Sequence, residues 1–504
     1  MKKLILFFLS FGVWLQAQAQ QPQLIQERSY KTSADAKFIV TSAEANNGNI
    51  LYSGATLVGA YDYVNYFLQV QLNTDTLWIR KGPANLGLYY QALQATPDGG
   101  YIFFGTADHP TRNLTGINFY KLNAAGFAQW TQSIFSTNTD NVPFTALVMP
   151  DRGYLVGGYL QNSGFSLLRT DSLGVTKWMK NYTKTYPRDA LLDLKFTRSG
   201  KIIAAGITGG NSSNTWHPRI LLLNQNGDTL KDKQFQIRSY NNKEGMIANF
   251  NSITPLSDGG FLYTGYTDTA TTNYPNGTDM GMLVKLDSSL NVKWSYVHRT
   301  INVDDYAFSK TKELEDSTTV VLAFNLRPAS GVATNEFQLF RFRANGTLKD
   351  VYPFTSSICS DIQAITLDAL PDSSFMVGGR CRNGNSYGFY VAKVKVPGLP
   401  PVVPPFTITS TKKETLLAGT TLGQSYPNPT AAEAIIPYSL PKNYGKASIM
   451  IREIATGREI RKYDLKRNSS SLTVDVSNLS SGLYLYSLEV DDKPVATKKL
   501  AVMQ

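Results

Sequence analysis

A chain of 504 residues exceeds what one ordinary core organises, so two or three domains or a repeat array is expected. Aromatic residues are plentiful (28 Tyr, 25 Phe) and only 17% of residues are charged, which excludes bulk disorder and leans toward β-structure. The net charge of +11 is spread along the chain without the dense basic stripe that nucleic-acid binding requires, so no nucleic-acid partner is expected.

Residues 1–19 read as a signal peptide. Lys2 and Lys3 precede an apolar run from Leu4 to Leu15, and Ala17 and Ala19 occupy the small-residue places of a cleavage site after Ala19. The run is too short to span a membrane, and no later segment approaches that length, so an exported protein without a membrane span is expected.

Residues 20–396 repeat one phrase. A turn rich in Asp and Gly opens an apolar strand ending in Gly, as in PDGGYIFFG (Pro97–Gly105) and SDGGFLYTG (Ser257–Gly265). Aligned copies end at Gly54, Gly105, Gly158, Gly206, Gly265, Ala323 and Gly379, spaced by 51, 53, 48, 59, 58 and 56 residues. That period matches one four-stranded antiparallel sheet per repeat, and seven repeats make a seven-bladed β-propeller. A third strand follows in each unit, alternates apolar and polar residues in several of them, and runs into an Asn, Asp or Gly turn, as in KLNAAG and KLDSSLN. The seventh unit stops at Val396 before its outer strand, and the segment around Leu24–Tyr30 resembles the missing piece. That N-terminal strand is expected to complete the last blade, which leaves no sheet edge open.

Trp78, Trp130, Trp178 and Trp294 recur at one repeat position. Sugar or quinone stacking is one reading, but reuse in blade after blade favours packing between blades. Cys359 and Cys381 lie at the same end of one predicted hairpin, which suits a disulfide in an exported protein; two buried thiols is the alternative. Asp140, Asp189, Asp305 and Asp361 each stand nine or ten residues before their aligned turn, at one mouth of the expected channel. A carboxylate ring there could bind a cation or act as acid and base on a glycan. Regular placement favours turn or blade hydrogen bonds instead, and Asp304, Glu313, Glu315 and Asp316 read the same way. His109, His217 and His298 share no metal-ligand spacing, and no nucleophile elbow, phosphate loop or dinucleotide fingerprint occurs, so no cofactor is expected. The tripeptides at Asp75, Asp171, Asp228, Asp268 and Asp316 resemble Asp-Ser/Thr glycosylation acceptors of Bacteroidetes, and three of them also coincide with the turns of the repeat.

Residues 397–421 are Pro-rich, then Thr/Lys-rich, and read as an extended solvated linker. Residues 422–504 read as a small β-sandwich. They contain LGQSYPNPT (with Tyr426, Pro427, Asn428 and Pro429), IPYSLP, the turn at Gly457, LSSGLYLYSLE (with Gly482 and Tyr484) and the terminal KKLAV (with Lys498 and Lys499). In order and in position these segments resemble the type A C-terminal sorting domain of proteins exported by the type IX secretion system of Bacteroidetes. The resemblance implies passage across the outer membrane by that machinery, then removal of the domain and either release or attachment to surface lipopolysaccharide. The repeats also resemble propeller repeats of secreted proteins of that group, whose roles vary. The expected function is therefore a surface or secreted binding module for an unidentified glycan or protein. The alternatives are a glycosidase or lyase with carboxylates at the channel mouth, and a structural surface-layer component.

Overall fold

The computed structural model describes residues 21–31, 40–44, 48–58, 62–84, 86–109, 111–112, 114–137, 139–160, 163–182, 189–209, 216–235, 252–268, 279–298, 305–327, 334–384, 386–404, 420–441, 444–453, 459–466, 469–491 and 493–503. Among them every regular element is a β-strand, and no helix is long and apolar enough to cross a membrane. Residues 1–407 and 408–504 form two compact units.

The first unit contains seven four-stranded antiparallel sheets. Blades 1 to 6 span 40–84, 86–134, 141–181, 190–234, 252–297 and 305–355, each in simple chain order. Blade 7 takes three strands from 361–395, and its fourth is Gln23–Lys31, paired antiparallel with Ser386–Lys395. The first strand of every blade lies beside the first strands of its neighbours, and that of blade 7 (Asp361–Ala369) lies beside those of blades 6 and 1. These first strands are therefore innermost. The second strands are buried on both faces, as in Tyr101–Asp108 and Ile202–Gly209, because each blade is covered by two others. This burial is why they read as unbroken apolar runs rather than alternating ones.

The repeat phrase has a physical content. The turn Asp between the first and second strands forms an ion pair with a cation on the third strand: Asp98 with Lys121 at 2.9 Å, Asp258 with Lys285 at 2.6 Å, Asp316 with Arg341 at 2.7 Å and Asp372 with Lys393 at 2.8 Å. Asp151 pairs with Arg169 in the same way. Blade 4 replaces both members together, with Ser199 and Leu222, and blade 1 has Asn47 and Gln69. The Trp residues join blades. A Cβ added at Gly126, Gly227 or Gly346 would meet the ring of Trp78, Trp178 or Trp294 within 2.5 to 2.6 Å. Each of these glycines sits at positive φ in the next blade's turn between third and fourth strands. Trp130 instead lies against Tyr154 of the next blade, with centroids 6.4 Å apart.

The strand Gln23–Lys31 repeats this outer contact. Tyr182 donates its hydroxyl to the Gly227 carbonyl and Lys180 pairs with Asp228 (2.6 Å); likewise Tyr30 donates to the Thr74 carbonyl and Arg28 pairs with Asp75 of blade 1. On its other side Glu27 accepts from the hydroxyls of Ser356 (2.6 Å) and Tyr390 (3.0 Å) and from the Ser357 amide (2.8 Å). Cys359 and Cys381 form a disulfide beside this anchor, with Cα atoms 5.5 Å apart.

The expectation of a solvated linker from residue 397 fails over its first part. Val402 bridges Leu314, the Val403 amide donates to the Glu313 carbonyl (2.8 Å) and the Glu315 amide donates to the Pro401 carbonyl (2.9 Å). The end of the blade 6 hairpin offers unpaired backbone groups, and an extended Pro-rich chain satisfies them. Residues 405–419 lie outside the described residues.

In the second unit one sheet is formed by Thr421–Leu422, Glu433–Ser439 and Ser471–Asp475. The other runs in the order Glu459–Asp464, Ala447–Glu453, Gly482–Val490, Lys493–Val502. Ile436, Val474, Ile449, Tyr486, Leu488 and Leu500 are buried in one core between them.

Candidate functional site

The four repeated carboxylates are placed at the starts of innermost strands, at the end opposite the Asp–Gly turns. Asp140 accepts from the amide (2.8 Å) and hydroxyl (3.0 Å) of Thr115 in the preceding blade. Asp189 is fully enclosed. It accepts from the Thr208 hydroxyl and pairs with Arg219 at 3.2 Å. That guanidinium also binds Asp232 at 3.0 Å and the Tyr182 carbonyl at 2.6 Å, and it lies 4.9 Å from the Phe165 centroid. Asp361 pairs with Arg380 at 3.1 Å, which sits over Tyr387. Asp305 begins the innermost strand of blade 6 opposite Arg327, and its side chain lies outside the described residues, as does Asp304. Each of the three described carboxylates, Asp140, Asp189 and Asp361, is used within its own or an adjacent blade, by a different partner in each case.

Of the other acidic residues noted in the sequence, Glu313 and Asp316 are also engaged. Glu313 accepts from the amide (2.7 Å) and hydroxyl (2.6 Å) of Ser257 in the preceding blade's turn. Asp316 holds Arg341 and the amide of Thr318 (3.0 Å). Among the described residues no group of three His, Cys, Asp or Glu side chains could hold a metal ion. Of the glycosylation-like tripeptides, Asp171 caps its own turn by accepting from the amides of Leu173 and Val175 (both 2.9 Å). Residues 269–270 are outside the described part of the chain.

The channel brings together a different set, which the sequence reading missed. Asp193 and Lys195 stand on the innermost strand of blade 4, Lys310 and Lys312 on that of blade 6, and Asp368 on that of blade 7. Asp193 is buried and accepts from the amides of Leu194 and Ile253 (both 2.9 Å), the Ser252 hydroxyl (3.0 Å) and Lys195 Nζ (2.7 Å). Burial pushes the Asp193 carboxyl up, but the charges of Lys195 and Lys310 and these donors outweigh it and hold it below the usual range. Lys310 is pushed down, first by burial and then by the charges of Lys195 and Lys312, while Asp193 and Asp368 oppose that shift.

In the second unit the expected motif residues form one structure. Asn428 donates to the Lys499 carbonyl (2.9 Å) and accepts from the Ala501 amide (2.8 Å), and Gln424 also donates to the Lys499 carbonyl (3.0 Å). Thr430 bridges Val502 in parallel. The peptide bonds before Pro427 and Pro429 are cis, and Tyr426 is 54% exposed. Tyr484 is buried with its hydroxyl on the Ser480 carbonyl (2.9 Å), and Gly482 opens that strand. Lys498 and Lys499 pair in register with Tyr486 and Leu485. Gly457 lies outside the described residues. The loop 424–430 thus covers the edge of the terminal strand that carries KKLAV.

Residues 424–503 match the family described as the secretion system C-terminal sorting domain. The C-terminal unit is a sorting domain. The sorting domain's match begins at Gln424, within the loop that clips the terminal strand, and runs to Met503. Comparison with curated proteins finds no match. Among solved structures the chain is similar to the β-propeller domain of a trilobed protease from Pyrococcus furiosus (10% identity, 76% of this chain and 100% of that one, TM-score 0.40). It is also similar to an α-L-arabinanase from Penicillium chrysogenum (11%, 74% and 99%, TM-score 0.41) and to the polysaccharide lyase Uly1 (8%, 74% and 99%, TM-score 0.44). None of the three lends this chain an activity.

Proposed function

We propose that this is an exported protein whose sorting domain directs type IX secretion and whose propeller is a non-enzymatic binding module at the cell surface or in the medium. Residues 1–19 serve as the leader, and the sorting domain engages the secretion machinery before release or attachment to lipopolysaccharide. The match over 424–503 supports the address. What favours binding over catalysis is that Asp140, Asp189 and Asp361 are occupied by Thr115, Arg219 and Arg380. A glycosidase needs two carboxylates within about 5–10 Å, free to face a substrate. The test removes residues 422–504 in a host with the matching system, and separately fuses them to a reporter carrying a signal peptide. Periplasmic retention of the truncated protein and export of the reporter are expected; efficient secretion of the truncated protein would overturn the address. Release of new reducing ends from a polysaccharide panel would overturn the non-enzymatic reading.

A further inference from the structure

The position six residues before each turn Asp, or its Ser199 counterpart in blade 4, carries Ala92, Thr145, Asp193, Ser252, Lys310 and Thr366 in blades 2 to 7. It lies at or beside a register shift in the innermost strand of blades 2, 3, 4, 6 and 7. Two of these side chains do the same task. Thr145 accepts from the Leu194 amide of the next blade (3.2 Å), and Asp193 accepts from the Ile253 amide of the next (2.9 Å). Lysine has no lone pair to offer once protonated, so Lys310 cannot take that role. It departs from the rule of the repeat on the innermost strand of blade 6.

Two residues further along stand Leu147, Lys195, Thr254, Lys312 and Asp368 in blades 3 to 7, which adds two more cations. The groups that act electrostatically on Lys310 come from three blades: Asp193 and Lys195, Lys312 on its own strand, and Asp368. Asp193 already accepts four hydrogen bonds, one from Lys195, so its charge is largely spent. Lys310 Nζ has no hydrogen bond or ion pair among the described residues. Three ammonium groups therefore act together with only two carboxylates in a half-buried setting where a charge without a partner is costly.

We propose that Lys310, with Lys195 and Lys312, forms a binding site in the propeller channel for an oxyanion, the carboxylate or sulfate group of a ligand. The anion supplies the acceptor that Lys310 lacks and balances the excess positive charge. The inference rests on the reading of the propeller as a binding module and specifies its chemistry.

The experiment uses the full mature chain at constant ionic strength, titrated with sodium sulfate, sodium D-glucuronate and uncharged methyl glucoside by calorimetry and thermal shift. Saturable binding of sulfate, glucuronate or both, with none for methyl glucoside, is expected; which of the two binds identifies the source of the oxyanion. Lys310→Met should weaken binding by about tenfold or more while leaving the melting temperature without ligand equal or higher. Lys310→Gln and Lys312→Met provide folded alternatives if that variant is lost. Absence of saturable binding in the wild type, or unchanged affinity in the folded Lys310 variants, overturns the site. Those results are distinct from polysaccharide turnover, which would overturn the non-enzymatic reading and leave an oxyanion site standing.

Discussion

Replacing Asp189, Asp361 and Asp140 singly by Ala should rank the three by burial and partner. Asp189 and Arg219 have side chains only 0% and 2% exposed, so Asp189→Ala leaves a buried guanidinium short of one counter-charge and the Thr208 hydroxyl short of an acceptor. Breaking a buried pair costs roughly 3–5 kcal/mol. Arg219 keeps Asp232 and the Tyr182 carbonyl, which places the cost at the low end, about 3 kcal/mol. An unfolding entropy of about 2.1 cal/mol/K per residue over roughly 370 residues gives ~0.8 kcal/mol/K, so the midpoint should fall by about 4 °C. Asp140→Ala loses only the two hydrogen bonds from Thr115, worth about 1–2 kcal/mol and a shift of about 1–2 °C. Asp361→Ala should fall between them, because both members of its pair are 16% exposed. Scanning calorimetry on the full chain reads the series. An unshifted midpoint for Asp189→Ala, or loss of ligand binding in one variant with melting intact, would refute the assignment of these residues to the scaffold.

Two other outcomes follow from the blades. Gly227 and Gly259 share a φ of +80°, but a Cβ at Gly227 would lie 2.6 Å from the Trp178 ring whereas at Gly259 the nearest atom is 3.9 Å away. Gly259→Ala should cost about 1 kcal/mol in urea unfolding and Gly227→Ala about 1–3 kcal/mol more, with the excess removed by adding Trp178→Ala; equal costs would contradict the interblade contact. Burial pushes the Asp372 carboxyl up, but hydrogen bonds from Lys393 and Ser374 outweigh it and hold it at about 2. A folded value below the unfolded one, near 3.9, means its stabilisation is present above about pH 4 and is lost as pH falls toward 2. Asp372→Asn should flatten the melting curve's dependence on pH in that window, and an unchanged slope would count against the pair.

The architecture was legible because its signals are local and repeated. The Asp–Gly turns need positive φ and the second strands need apolar side chains on both faces, so each blade announces itself in a dozen residues. The lone Gln23–Lys31 strand was recoverable only by counting what the last repeat lacks. The channel site was hidden for a geometric reason. Facing in a strand is read by alternation, and the register slip between Phe308 and Thr311 resets that alternation just where Lys310 stands. The signal that would have found it is the odd cation among Thr145, Asp193, Ser252 and Thr366, a comparison across repeats rather than along one strand. The Asp carboxylates were noticed for their regularity, but the partner of Asp189, Arg219, lies 30 residues further on, and no spacing rule connects them.

The pairing of Gln23 with Lys395 gives the propeller an order of assembly. Blades 1 to 6 each become complete as soon as their own stretch of chain emerges, because all four strands are consecutive. Blade 7 cannot, since its outer strand leaves first and its partner almost last. Gln23–Lys31 must therefore wait as an unpaired strand until nearly the whole propeller has followed it in the chain. Any shortened product ending before residue 386 would leave that strand without its partner and exposed to proteases as an unfinished edge.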